Sequence, residues 1–323
     1  MQKFDTHPNK KLNERNHFYN PWGMVMRLVT FADNTGERIG VFIPEIEKVI
    51  DLVAADPSLP RDMNAFIDLR SEGLEKAATA CQTASENAQI DAEAITLLAP
   101  IPFPRRNVFC VGRNYHEHAK EFHDSGFDAT ADATPTPEHP IIFTKATTSV
   151  IGPNVPILSD LDPTHTVDYE GELGVVIGKK GRSITKAEAF DYVYGYTIIN
   201  DVTARTLQHQ HKQWFIGKSL DSFCPMGPVL LTAKEAGNVD DFHLTTVVNG
   251  EIRQDASVAD LIFDIPTIIE ALSVGMTMLP GDIIATGTPV GVGIGFDPPV
   301  FLIPGDVVAV TIEPIGTLEN RVE

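Results

Sequence analysis

Two apolar stretches near the middle of the chain end in acids. The first reads Asp168-Tyr169-Glu170-Gly171-Glu172-Leu173-Gly174-Val175-Val176-Ile177-Gly178, and the second Tyr194-Gly195-Tyr196-Thr197-Ile198-Ile199-Asn200-Asp201. Both read as strands. Residues two apart on a strand face the same side, so Glu170 and Glu172 project together, and Gly171 leaves the opposite face bare. Asp201 stands where the second run ends.

The remaining pattern arranges itself around these strands. Residues 26–31 and 38–43 read as a strand pair joined by Asp33-Asn34-Thr35-Gly36, which is turn chemistry. Helices are expected near 46–55 and over about 63–84, the second a modestly buried surface helix. Pro100, Pro102 and Pro104 stand at alternate positions, which no helix accommodates, and they suit an extended linker. Beyond them the chain becomes β-rich, with strands expected at 107–112, 140–143, 229–232, 244–249, 282–286 and 307–312 and one helix at 265–273. Leu279-Pro280-Gly281-Asp282 is echoed by Ile303-Pro304-Gly305-Asp306, each a Pro-Gly turn of type II feeding a strand. The expected organisation is a loose tail at 1–25, a small N-terminal domain at 26–103, and a β-rich domain at 104–323 that carries the acids. Residues 122–139 form a long polar loop holding Gly126, Asp128, Asp132, Pro135 and Pro137; loops of that length are functional or disordered.

Composition narrows the class. With 44 acids against 25 bases the formal charge is -19, so neither nucleic acid nor an anionic membrane is an expected partner. No apolar run approaches the roughly 20 residues of a membrane span. Cys81, Cys110 and Cys224 are far apart and show no metal-binding spacing, which points to reduced thiols and a cytoplasmic protein. An anionic ligand would need local positive charge, and this makes the place of each cation informative.

The candidate chemistry begins with the acids. Adjacent carboxylates repel, and a proton, a cationic side chain or a metal ion relieves them. Glu170, Glu172 and Asp201, without sulfur, suit a hard cation such as magnesium or manganese. Two solvated acids on a strand edge and a helix-capping Asp would share that spacing. If Gly112-Arg113-Asn114-Tyr115-His116-Glu117-His118-Ala119-Lys120-Glu121 ends in a helix, His118 and Glu121 share a face, and the carboxylate makes the imidazole a better base. His116 and His123 compete for that role. Lys145, Arg205 and Lys218 each end an apolar run, a place more apt to face a cleft than a charge run is. Ala285-Thr286-Gly287-Thr288-Pro289 breaks a strand and offers donors to a carboxylate, or is a plain glycine turn.

Taken in order, these motifs resemble the fumarylacetoacetate hydrolase family. The resemblance is carried by Gly112-Arg113-Asn114-Tyr115 with His118 and Glu121, by Asp168-Tyr169-Glu170-Gly171-Glu172-Leu173, and by Asn200-Asp201-Val202-Thr203-Ala204-Arg205. Gly217-Lys218-Ser219-Leu220-Asp221 and Ala285-Thr286-Gly287-Thr288-Pro289 complete it, over residues 104–323. It implies an α+β, β-rich fold of rolled mixed sheets, a homodimer, and magnesium or manganese, with calcium as a substitute, on Glu170, Glu172 and Asp201. It also implies a His118–Glu121 pair on a lid, Lys218 near the metal, and a small anionic 2-oxo acid as substrate. Arg113, Tyr115, Lys145, Arg205 and Thr288 are the expected substrate-binding residues. The chain departs from shorter members at 122–139 and at His209-Gln210-His211.

Family members hydrolyse acylpyruvates, decarboxylate 2-oxo diacids or isomerise unsaturated 2-oxo acids, and others open sugar-derived dioxo acids. The first expectation is a metal-dependent hydrolase that cleaves the carbon–carbon bond of an acylpyruvate. A decarboxylase of an oxaloacetate-like diacid and a 2-hydroxydienedioate isomerase are the alternatives. A calcium-stabilised, non-catalytic binding protein is the reading from another class.

Overall fold

The structure, a computed structural model, describes residues 25–127 and 134–323. The expected tail, residue 25 apart, and residues 128–133 with Asp128 and Asp132 lie outside that range.

The first hairpin forms as its turn chemistry dictates. Arg27–Asp33 pairs with Gly36–Ile43 in a register that ends at Asp33 opposite Gly36, and the Asp33 carboxylate accepts from the Thr35 N–H at 2.7 Å. The region after it differs from expectation. Instead of a helix over 46–55, Lys48–Asp51 is a strand with Ile50 opposite Val41, and only Leu52–Ala55 is helical. A short apolar run suits strand or helix equally, and here an open hairpin edge decides it. The Asp51 side chain then starts the short helix by accepting from the N–H groups of Val53 and Ala54. The helix expected at 63–84 is two helices, Met63–Asp68 and Arg70–Thr83, broken where Arg70 takes a left-handed φ of 54°.

These N-terminal strands do not stand apart. Arg27–Asp33 pairs along Cys224–Thr232, so the elements on both sides of the proline segment share one twelve-stranded sheet. From that junction the order runs Cys224–Thr232, Val193–Asn200, Gly171–Ile177, Ile283–Ala285, Val108–Gly112 and finally Ile141–Lys145 at the edge. Most pairs are antiparallel, but Ile283–Ala285 runs parallel to Val108–Gly112, which makes the sheet mixed.

A second, four-stranded antiparallel sheet has the order Glu251–Ser257, His243–Val248, Val307–Glu313, Gly316–Arg321. It lies against the face that Gly171 leaves bare. A Cβ on Gly171 would come within 2.4 Å of Thr246 Oγ1 and 3.0 Å of Val310, so the glycine between the two acids admits the second sheet. The architecture is therefore the expected strand-rich α+β arrangement of rolled mixed sheets. Helix Ile265–Ser273 forms where expected, with Asp264 capping Thr267 and Pro266 in the first turn. Both Pro-Gly turns close as type II, with Gly281 at φ +85° and Gly305 at +105°. No described helix is long and apolar enough to cross a membrane.

Candidate active site

Glu172 lies in strand Gly171–Ile177, while Glu170 sits just before it. The approach is pinned by backbone: Glu170 N–H donates to Asn200 Oδ1 at 3.0 Å, and Asp201 N–H donates to the Glu170 carbonyl at 2.8 Å. Antiparallel pairing thus brings Asp201 back beside the two glutamates. All three are buried, and one oxygen from each lies within 4.8 Å of the others.

Cations surround the acids from behind. Lys218 Nζ donates to Glu170 Oε2 at 2.8 Å and Asp201 Oδ2 at 2.7 Å. Lys145 Nζ holds Asp201 Oδ1 at 2.5 Å, and Arg205 Nη1 lies 2.6 Å from Glu170 Oε1. Among the described residues, Glu172 receives the Gly287 N–H at 2.8 Å and no side-chain cation. The consequence is a split between neighbours. Burial raises the Glu170 pKa, but Lys218, Arg205 and then His118 outweigh it and hold this carboxylate at about 2. For Glu172, burial followed by the charges of Asp201 and Glu170 pushes the carboxyl well above its usual range. Lys218 keeps its proton for the complementary reason: burial works against the ammonium, and Asp201 and Glu170 overcome it.

A second frame of hydrogen bonds sets His118. Helix His116–Asp124 follows the strand that ends at Gly112, and buried His118 Nδ1 lies 2.9 Å from Glu121 Oε2. Glu121 Oε1 accepts from Gly291 N–H at 3.0 Å. Two residues on, Gly293 and Ile294 donate to Asp168, whose Oδ2 also receives Arg205 Nε at 2.9 Å. One loop therefore braces both the partner of His118 and the guanidinium behind Glu170.

His118, Glu170, Glu172, Arg113, Arg205, Lys218 and Thr288 line one small cavity. Thr288 Oγ1 accepts from Gln254 Nε2 at 2.7 Å, which leaves its own proton to donate into the cavity. Other expected residues stand behind the walls. Lys145 is wholly buried against Asp201 and the Val202 carbonyl, so its charge serves an acid and not the cavity surface. Tyr115 is buried and forms a backbone bridge with Leu261, and burial, then Glu172, pushes its hydroxyl pKa up. Exposed His116 and surface His123, paired with Asp124, are not at the cavity. His209 instead contacts the Phe127 carbonyl from an exposed position.

Sequence reasoning missed Gln254, the bracing role of Asp168, and the cavity walls Phe122, Phe143, Gln208 and Trp214. Aromatic residues in apolar runs read as core, and a Gln in a strand carries no local signal. The partners of Asp168 lie about 125 positions away, as Gly293 and Ile294 show.

The family described as fumarylacetoacetate (FAA) hydrolase, C-terminal, matches residues 107–323. The chain belongs to the fumarylacetoacetate hydrolase family. Its relatives span nearly the whole chain. An oxaloacetate tautomerase, YisK, of Bacillus subtilis (strain 168) is 46% identical over 296 residues, covering 88% of this chain and 95% of the relative. The structure of a fumarylacetoacetate hydrolase from psychrophilic Exiguobacterium antarcticum superposes with a TM-score of 0.74 at 41% identity, over 92% of this chain and 99% of that one. A 2-hydroxyhepta-2,4-diene-1,7-dioate isomerase from Mycobacterium marinum gives 0.68 at 33% identity, over 92% and 98%.

This is a family of enzymes acting on small acids, whose members typically bind a divalent metal. The residues here fit such an ion. Glu170, Glu172 and Asp201 offer only hard oxygen donors, and Glu172 is the carboxyl whose charge the surrounding cations leave least compensated.

Proposed function

We propose that this chain catalyses a proton shift on a 2-oxo dicarboxylate, with keto–enol tautomerisation of oxaloacetate as the reaction to test first. The observation that carries the reading is His118, braced by Glu121, on the same small cavity as the acid cluster and three cations. The relative named oxaloacetate tautomerase supports the substrate class, and the neighbour titled an isomerase performs a proton relocation by its name.

In the keto form, His118 removes a proton from C3, the electron pair forms the C2–C3 double bond, and charge moves to the 2-oxo oxygen. Lys218 keeps its ammonium at that end of the cavity and can supply a proton to that oxygen. Thr288 and Arg113 orient the substrate carboxylates, while Arg205, whose buried Nη2 has no hydrogen-bond partner among the described residues, adds positive field. A divalent ion on Glu170, Glu172 and Asp201 would supply Lewis-acid stabilisation of the developing negative charge. Magnesium or manganese is the expected ion, and a homodimer the expected assembly.

Hydrolysis of an acylpyruvate is the second reading, favoured by the neighbour titled fumarylacetoacetate hydrolase. It needs His118 to activate a water instead of taking a C3 proton. Stopped-flow decay of oxaloacetate enol absorbance separates the two, run beside coupled pyruvate release from oxaloacetate and from an acylpyruvate, with EDTA controls. Metal-dependent enol decay without pyruvate is expected. Pyruvate from the acylpyruvate with background enol decay would establish the hydrolase, and pyruvate from oxaloacetate the decarboxylase.

A further inference from the structure

One wall of the cavity is apolar, and the proton shift does not use it. Phe122 comes from the helix of His118, one turn beyond it, with ring centroids 6.4 Å apart. Phe143 comes from edge strand Ile141–Lys145, and the Lys218 ammonium lies 5.1 Å above its ring. Trp214 joins them, edge-on to Phe122 at 5.7 Å and to Phe143 at 5.2 Å. The indole is seated on strand Val108–Gly112. A Cβ on Gly112 would fall 2.3 Å from Trp214 Cζ3, so the ring occupies its place because residue 112 has no side chain. Trp214 is only 8% exposed, and three separate elements hold it.

The order of groups along the cavity gives this wall a task. A 2-oxo acid must place its C1–C2 end at the acid cluster and Lys218, and C3 within reach of His118. Phe122 flanks His118 and Phe143 lies under Lys218, so whatever extends beyond C3 is bounded by the wall that Trp214 completes. Arg113, the residue after Gly112, supplies a cation to the same cavity.

We propose that Trp214 is the specificity-determining residue of this site. A C4 carboxylate ends beside Arg113, whereas an acyl, dienyl or aryl extension at C4 collides with the indole. The inference names the length of the substrate and rests on the proton-shift reading only for which reaction is run. An apolar wall discriminates by occupied volume, and one methylene too many in a filled pocket is worth roughly 10- to 200-fold.

The test compares wild type with Trp214→Ala and Trp214→Phe, all loaded with manganese. Calorimetry gives dissociation constants for oxalate, a short planar dianion, and for an acylpyruvate bearing a phenyl group, at a low temperature with product formation monitored. In Trp214→Ala the phenyl ligand is expected to tighten about tenfold or more, with oxalate unchanged within about threefold. Trp214→Phe, which preserves ring contacts with Phe122 and Phe143, should lie between and serves if the alanine variant does not fold. Equal changes for both ligands, or no tightening of the phenyl ligand, would overturn the assignment. Because binding is the readout, a wild type inactive on oxaloacetate would sink the reaction reading while this ratio still decides the wall.

Discussion

Two clusters of acids and cations in this molecule are compensated differently. In the N-terminal hairpin, Arg38 serves both Asp33 and Asp51, with Arg38 Nε 2.5 Å from Asp51. In the cavity, Asp168, Glu170, Glu172 and Asp201 face Lys145, Lys218 and Arg205. The hairpin leaves Asp33 at the water, where Arg38 and then Thr35 hold its pKa below the ordinary carboxylate range, and Asp51 spends its other oxygen capping a helix. In the cavity Glu172 is 1% exposed, and burial, then Asp201 and Glu170, push its carboxyl well above its usual range. A structural cluster closes on itself, whereas this one leaves Glu172 the least compensated acid at a place a divalent ion fits.

The largest expected effect breaks the functional member of that pair. Glu170→Gln should reduce metal-dependent turnover by about 10³-fold or more, as loss of a charged ligand and its stabilised charge implies, with the far-ultraviolet spectrum unchanged. Manganese calorimetry should show weakened binding, and near-normal turnover with ordinary affinity would remove Glu170 from the site. Next, His118→Ala should cut kcat by roughly 10²- to 10⁴-fold while manganese affinity stays within a few-fold, since the base is no ligand. A matching loss of metal affinity would mean that His118 supports the cluster instead of the chemistry.

Arg38→Met tests the structural member. It strands Asp51 without its guanidinium and should cost about 3 kcal/mol in denaturant unfolding, while kcat per folded molecule is unchanged. Loss of activity with no loss of stability would dissolve the contrast between the clusters.

The smallest effect concerns Glu235, a partly buried acid with no guanidinium and no ion site. Burial, only partly opposed by Lys234, raises its pKa to about 7, near the buried Tyr194 hydroxyl, which has no hydrogen-bond partner among the described residues. A raised carboxyl pKa means that the folded state holds the proton more tightly than the unfolded state. Stability on this account is full below the unfolded value, roughly pH 4.3, and falls as pH rises toward about 7. Glu235→Gln should therefore match wild type in Tm at low pH and exceed it above pH 7. Parallel Tm curves across that range would place the acid in solvent.

Much of the site was legible because its chemistry is written in local spacing. Glu170 and Glu172 flank the glycine that opens a strand, and His118 and Glu121 are one helical turn apart, so neighbouring positions announce a shared face. Arg205 and Lys145 show the limit. Each was expected to meet substrate because it ends an apolar run, yet Lys145 is spent on Asp201, and Arg205 divides between Asp168, Glu170 and the cavity wall. The run from 46 to 55 failed in another way: its apolar residues fit either helix or strand, and an unpaired edge at Gly36–Ile43 claimed them.

The sequence by itself determined that the acids share a face, that His118 and Glu121 meet, and the hairpin turn, the Pro-Gly turns and the capped helix at 265–273. Each depends on side chains within a few positions of one another, where backbone geometry leaves little choice. Only the tertiary structure decided which cation serves which acid, that Glu172 is the carboxyl left uncompensated, and that an indole seated on Gly112 closes the cavity. Those outcomes depend on burial and on approaches across about 30 to 125 positions of chain, as in Glu170 with Asn200 and Asp168 with Gly293. Desolvation and distance, which set the energies of buried charges, exist only once the sheets have packed.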